Sequence, residues 1–213
     1  MEYKITPEVF MTQIKDFLKE KDVCLDEITF DDIDYEHDNV LPLFHMAPVA
    51  YFEYGATRGA FIPCIGSDFV FKFDFDKLEE NYCRREADIY LDASMKNLDK
   101  YFASINFYAT LNNTPVYIQE YVDETCWDRS VEVSKEEIDK VVILCNKTSY
   151  SKSADISPCW LLDFVKLYGE DELLRLFLFL EEEGVNDLHD RNVGYIHNKP
   201  VLFDYSGFYE SRF

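Results

Sequence analysis

Residues 186–194 read Asn-Asp-Leu-His-Asp-Arg-Asn-Val-Gly, and after a short gap residues 201–207 read Val-Leu-Phe-Asp-Tyr-Ser-Gly. No other stretch gathers as many metal-capable side chains into so few residues. Asp187 and Asn192 are five apart, and Asp204 follows Asn192 by twelve, at the end of an apolar run. The intervening Tyr195 to Lys199, then Pro200, suits two short strands joined by a turn. A hairpin of that size returns Asp204 to the 187–192 loop. Two carboxylates and one amide oxygen then converge, a hard-oxygen set of the kind Mg²⁺ prefers. Asp and Asn are also ordinary turn residues, so a polar loop between a helix and a hairpin satisfies the same sequence without chemistry.

The chain before this stretch predicts a mixed α+β protein. Thr6 is an N-cap with Pro7 at the first helical position, and Val9, Phe10, Ile14, Phe17 and Leu18 fall near one face of a helix ending near Lys21-Asp22. Residues 26–38 are dense in acid. They lack the sixth-position glycine and terminal glutamate of a calcium loop, so they read as a solvated segment. From residue 50 the texture turns to short β-type runs: 50–54, 60–65 and 69–73, the last alternating around Lys72. Residues 76–96 read as a helix with Glu86 at its middle. Residues 104–111 and 115–122 read as strands joined by a turn at 112–114. Helices follow within 131–145, at 160–168 and at 170–183. The last has a nearly all-round apolar middle, so it is expected to be buried, and Gly184 ends it. Residues 146–157, rich in Ser, read as an exposed loop.

The order of these pieces resembles the protein-kinase-like superfamily, whose pattern is Asp-x-x-x-x-Asn, an apolar strand, then Asp-Phe-Gly. The wording Asp-Leu-His-x-x-Asn is similar to the aminoglycoside and small-molecule kinase branch, and 204–207 stands in for Asp-Phe-Gly with Ser206 in the glycine's place. The resemblance covers residues 50–207. It implies a two-lobed fold: a small antiparallel N-lobe sheet with one helix (46–122), and a reduced helical C-lobe (123–213), after an N-terminal helix and acidic segment (1–45). It implies ATP and Mg²⁺ as cofactors. Asp187 would be the catalytic residue that orients the acceptor or takes its proton, and Asn192 and Asp204 would be the metal ligands. Lys72 would hold the nucleotide phosphates, oriented by Glu86, with Glu79 and Glu80 as alternatives. Gly55 and Gly59 would form the phosphate-covering turn, although the Gly-x-Gly-x-x-Gly fingerprint is absent. Glu120 and Val122 would lie in the hinge that binds adenine. His189 and Asp190 would support the loop. Only six residues follow Gly207, which reads as a C-lobe without its substrate-presenting helices.

Composition frames the competing functions. With 42 acidic against 21 basic residues the net charge is −21, which repels nucleic-acid backbones and disfavours anionic membranes. It suits a basic or nucleic-acid-binding protein partner. No apolar run spans a membrane and no leader is evident. The six cysteines are scattered without zinc-site spacing, so reduced, mostly buried thiols and a cytoplasmic setting are expected. Three readings follow. One is a minimal ATP-dependent phosphotransferase. Another is a catalytically idle, acidic, kinase-like binding protein, a pseudokinase such as a phage-encoded inhibitor of a bacterial host protein. The third is a nucleotide-binding toxin or antitoxin component.

Overall fold

The computed structural model describes residues 5–25, 51–54 (as backbone), 57–63, 67–75, 81–123, 134–148, 150 and 155–207. The chain is mixed α+β and divides into two compact units. One is Met1–Ala87 with Ile105–Tyr121; the other is Asp88–Ser104 with Val122–Phe213. None of the described helices is long and apolar enough to cross a membrane.

The first unit is built on one antiparallel sheet. Its strands are β1 (Tyr51–Tyr54), β2 (Arg58–Ile62), β3 (Phe69–Asp74), β4 (Ile105–Leu111) and β5 (Thr114–Glu120), in the order β1-β2-β3-β5-β4. The hairpin between β4 and β5 turns on Asn112 and Asn113, with φ of 48° and 66°. Asn tolerates this left-handed conformation better than most residues. Leu111 pairs with Thr114, so the turn is one residue shorter than expected.

Helix α1 (Pro7–Lys21) belongs to this unit. Thr6 caps it, accepting from the Val9 N–H at 3.5 Å, and Asp22 closes it at φ 55°. Its buried face is Phe10, Met11, Ile14, Phe17 and Leu18, packed on Phe69, Phe71, Phe73 and Phe75. Phe10 stacks on Phe71 at 5.6 Å. Burying side chains of this kind stabilises by roughly 1.5–3 kcal/mol each. The expected face is corrected at one position: Val9 is half exposed and Met11 is buried instead. At 3.6 residues per turn, Met11 lines up with Ile14 and Leu18, whereas Val9 shares a side with exposed Thr12 and Asp16.

Helix α2 (Tyr82–Met95) starts later than expected. The Asn81 side chain accepts from the Arg84 N–H at 2.6 Å, the bond of an N-cap. Residues 76–80, with Glu79 and Glu80, lie outside the described residues. The helix passes from the first unit to the second after Ala87.

The second unit continues with a 3₁₀ turn (Asp99–Tyr101), α3 (Lys135–Cys145), α4 (Pro158–Tyr168) and α5 (Glu170–Glu182). A hairpin of β6 (Val193–Ile196) and β7 (Lys199–Leu202) follows. Ser134 and Glu137 form a capping box that starts α3. Trp160, Phe164, Phe177 and Tyr101 fill the core. Leu178 is more than half exposed, so α5 keeps one wet side despite its apolar middle. The 146–157 loop also differs from expectation. Tyr150 is buried, stacked on Phe177 at 5.5 Å, and its hydroxyl donates to the Val185 carbonyl at 2.9 Å. Cys83 and Cys145 are buried free thiols, Cys24 and Cys159 are half-buried free thiols, and Cys64 and Cys126 lie outside the described residues.

Candidate functional site

Strand alternation sorts the sheet's side chains. Phe61, Phe71, Phe73, Val116 and Ile118 belong to the apolar cluster with α1. The register sets Arg58 opposite Asp74, Ala60 and Tyr117 opposite Lys72, and Gln119 opposite Val70. Successive side chains point to opposite faces, so Arg58, Lys72, Asp74 and Gln119 share the other face.

On that face Lys72 Nζ donates to Glu86 Oε2 at 2.8 Å. Arg58 Nη1 donates to the same oxygen at 3.1 Å, and Gln119 Nε2 donates to Glu86 Oε1 at 2.9 Å. Glu86 is completely buried, and the Lys72 and Arg58 side chains are 8% and 14% exposed. A buried carboxylate is tolerated when its partners satisfy it, and here both oxygens are engaged. The Arg58 guanidinium also lies 5.8 Å from the centre of the Tyr82 ring.

Asp74 Oδ1 accepts from the Tyr82 and Cys83 N–H groups at 3.0 and 3.2 Å, setting a carboxylate on the first turn of α2. Burial pushes the Asp74 carboxyl up; Arg58 and the helix N–H groups pull against it. Burial also holds the Cys83 thiol well above its usual range, and the negative charge of Asp74 adds to this. The thiol is therefore neutral.

The second cluster lies in the second unit. Asn192 is buried, and its Nδ2 donates to the backbone carbonyls of Asp187 at 2.5 Å and Asp204 at 3.1 Å. One amide thus ties the two acid-bearing segments together. The Phe203 N–H returns a bond to the Asn192 carbonyl at 2.9 Å. The expected hairpin makes this possible: Val193 pairs with Leu202 and Ile196 with Lys199, around a turn at His197 and Asn198 with φ of 50° and 64°. Leu188 is buried beneath the loop. His189 Nδ1 accepts from the Arg191 N–H at 3.1 Å, capping the 3₁₀ turn Asp190–Asn192. Asp187 and Asp204 are half-buried.

The segment after Asp204 is fixed as firmly. Asp204 has φ of 56°, a left-handed conformation that requires support from its surroundings. Tyr205 supplies it: the ring is fully buried edge-on to Phe102 at 4.8 Å, and its hydroxyl donates to the Ala103 carbonyl at 2.9 Å. Gly207, at φ 69°, approaches Asn186 so closely that a Cβ would stand 2.8 Å from Asn186 Oδ1.

The residues singled out from sequence fall as follows. Lys72 and Glu86 are paired, and Asp187, Asn192 and Asp204 are gathered around one amide. Gly59 is not in a turn: it lies in β2, paired with Tyr54 and Phe73, because the strand begins at Arg58. Gly55 lies outside the described residues. Glu120 is exposed at the end of β5, and Val122 is buried among Ala103 and Val201 of the second unit. The hinge-like run therefore spans the point where the chain changes units. Arg58 and Gln119 were missed. Their signal is strand parity with Lys72, which is readable only once the pairing of β2, β3 and β5 is known.

Both halves have chemical capacity. The first presents two cations held by a buried carboxylate, an arrangement that can receive an anion. In the second, both hydrogens of the Asn192 amide are taken by carbonyls, which leaves Oδ1 as its acceptor beside two carboxylate-bearing loops. Amide and carboxylate oxygens are the kind of ligand Mg²⁺ takes, few from protein, with water and phosphate completing its shell. Among the described residues no group of three or more His, Cys, Asp or Glu forms a metal site on its own. Comparison with protein-family models, with curated proteins and with solved structures returns no match.

Proposed function

We propose that this chain is a kinase-like protein that binds a nucleoside triphosphate together with Mg²⁺. The observation that carries the reading is the buried Lys72–Glu86 ion pair, joining a central strand to a helix across fourteen residues. A buried pair of this kind holds its cation at a defined position. The strand order β1-β2-β3-β5-β4 and the Asp187–Asn192–Asp204 grouping agree with it.

The roles follow from charge. Lys72, oriented by Glu86, holds phosphate oxygens. Asn192 and Asp204 hold the metal, which when bound neutralises phosphate charge and orients the terminal phosphate. Asp187 positions the acceptor hydroxyl and takes its proton. Glu120 and Val122 offer backbone groups to the base.

Arg58 favours a second reading within the same class. It engages the oxygen of Glu86 that also holds Lys72, so the lysine shares its orienting partner with a rival cation. The second reading is a protein that binds nucleotide without transferring phosphate and acts through its acidic surface on a basic partner. Turnover separates the two. An active phosphotransferase releases ADP in a Mg²⁺-dependent reaction that Asp187→Asn abolishes with binding retained. The binding-only protein takes up ATP and releases no ADP.

A further inference from the structure

We propose that Arg58 is a second phosphate-binding cation of the first unit, acting beside Lys72 on a ligand that carries at least two adjacent phosphates. The proposal deepens the nucleotide-binding reading and rests on it for the identity of the ligand, but not for the site.

Three observations carry it. The first is convergence: Lys72 Nζ and Arg58 Nη1 contact one oxygen, Glu86 Oε2, at 2.8 and 3.1 Å. The two cations therefore stand no farther apart than those distances allow, a span that neighbouring phosphates of one chain bridge. An anion arriving there meets the N–H donors of two cations set by one carboxylate, with the Asp74 carboxyl near Arg58 balancing part of their charge. The second is graded burial. Glu86 is fully buried, Lys72 is 8% exposed and Arg58 is 14% exposed. Both cations are thus more exposed than the carboxylate that orients them, Arg58 the more so. Gln119 holds the other carboxylate oxygen, so Glu86 cannot turn away from its cations.

The third is the chemistry that Arg58 brings to β2. A phosphate-covering turn binds through backbone N–H groups that glycines expose. Here Gly59 is committed to the β2 ladder, pairing with Tyr54 and Phe73. Arg58, at the first position of the same strand, supplies a planar fork of donors beside Lys72. Guanidinium suits phosphate better than ammonium because it donates two parallel bonds. The acidic composition sharpens the point: a chain of net charge −21 has no general affinity for polyanions, so any that binds must find a built site.

The test is isothermal titration of the full chain with inorganic tripolyphosphate and, separately, with ATP and Mg²⁺. The proteins are wild type, Arg58→Gln and Arg58→Lys, with thermal unfolding to check the fold. Losing a charge-assisted phosphate contact weakens binding by about tenfold or more. The expected result is that loss for both ligands in Arg58→Gln, with partial recovery in Arg58→Lys. If wild type binds tripolyphosphate through Arg58 but does not bind ATP, Arg58 stands as a phosphate site and the nucleotide reading falls. If Arg58→Gln binds ATP as tightly as wild type, the Arg58 proposal is overturned and the nucleotide reading stands. If wild type binds neither ligand, both are overturned. Should Arg58→Gln fail to fold, the arginine Nε–H resonance of Arg58 in the unaltered chain decides, assigned with Arg58→Lys. It shifts on adding either ligand that binds, and an unmoved resonance at saturation overturns the proposal.

Discussion

The two clusters are held by different means. In the first unit the functional groups hold one another: Lys72, Arg58 and Gln119 converge by side chain on Glu86, from partners 14, 28 and 33 residues away. In the second unit the backbone holds the functional groups. Asn192 reaches carbonyls only 5 and 12 residues away, and Tyr205 and Gly207 fix the segment beyond Asp204. A side-chain network carries charge at its centre, so its integrity depends on electrostatic balance. A loop tied by an amide and a buried ring leaves its carboxylates outside the tie, and its integrity depends on hydrogen bonds and backbone conformation.

The sharpest break in that comparison is Glu86→Gln. It leaves two cations side by side without their buried anion, and breaking a buried ion pair from one side destabilises by about 3–5 kcal/mol. Urea unfolding measures this, and adding Lys72→Met to Glu86→Gln is expected to recover part of the loss, since the pair couples. A loss in the double variant equal to the sum of the two single-variant losses would mean that the charges are not coupled.

Asn192→Ala attacks the second cluster in the same way with a smaller effect. Two hydrogen bonds are lost and two carbonyls lose their donor, at about 1 kcal/mol per bond. The total is expected to be about 2–3 kcal/mol. A loss indistinguishable from that of Asn106→Ala, an exposed strand position, contradicts the tie.

Gly207→Ala tests conformation alone. Its φ of 69° is unfavourable to a Cβ, and the Asn186 contact adds crowding. The expected loss is about 1–2 kcal/mol, read from the same unfolding curves. Because the change touches no charge, its effect should not vary with salt.

The smallest effect is a pH dependence confined to the first unit. Burial raises the native pKa of Asp74 above its ordinary 3.8. The native state then binds the proton more tightly than the unfolded chain. This contribution to stability is fully present below 3.8 and is lost as pH rises through the higher native value. Asp74→Asn removes it, so the difference in unfolding free energy between wild type and variant should move against wild type as pH rises through that window. A difference that is flat with pH contradicts the raised pKa.

The same contrast explains what was legible in the sequence. The second cluster could be read because its partners lie within one loop and one hairpin, and the spacing of Asp187, Asn192 and Asp204 already implied the turn that joins them. Lys72 and Glu86 could be read as a pair only by order along the chain. Arg58 and Gln119 could not, because their approach to Glu86 depends on strand register, a non-local property that local pattern does not encode. Gly59 was misplaced for the same reason: a glycine beside a turn and a glycine in the ladder look alike until the first paired residue is known. Tyr150 shows the limit for loops, since its polar neighbours masked a ring that packs on Phe177 and bonds near residue 185.

Both clusters bear on one proposal, that the chain binds a nucleoside triphosphate together with Mg²⁺. The direct measurement is calorimetric titration of ATP into wild type, Lys72→Met and Asp204→Ala, each with and without Mg²⁺. The account predicts saturable binding to wild type that strengthens with Mg²⁺. Lys72→Met should weaken it in both conditions, and Asp204→Ala should weaken it only when Mg²⁺ is present. Wild type that binds no ATP in either condition, or an Asp204→Ala variant with an undiminished response to Mg²⁺, would contradict it.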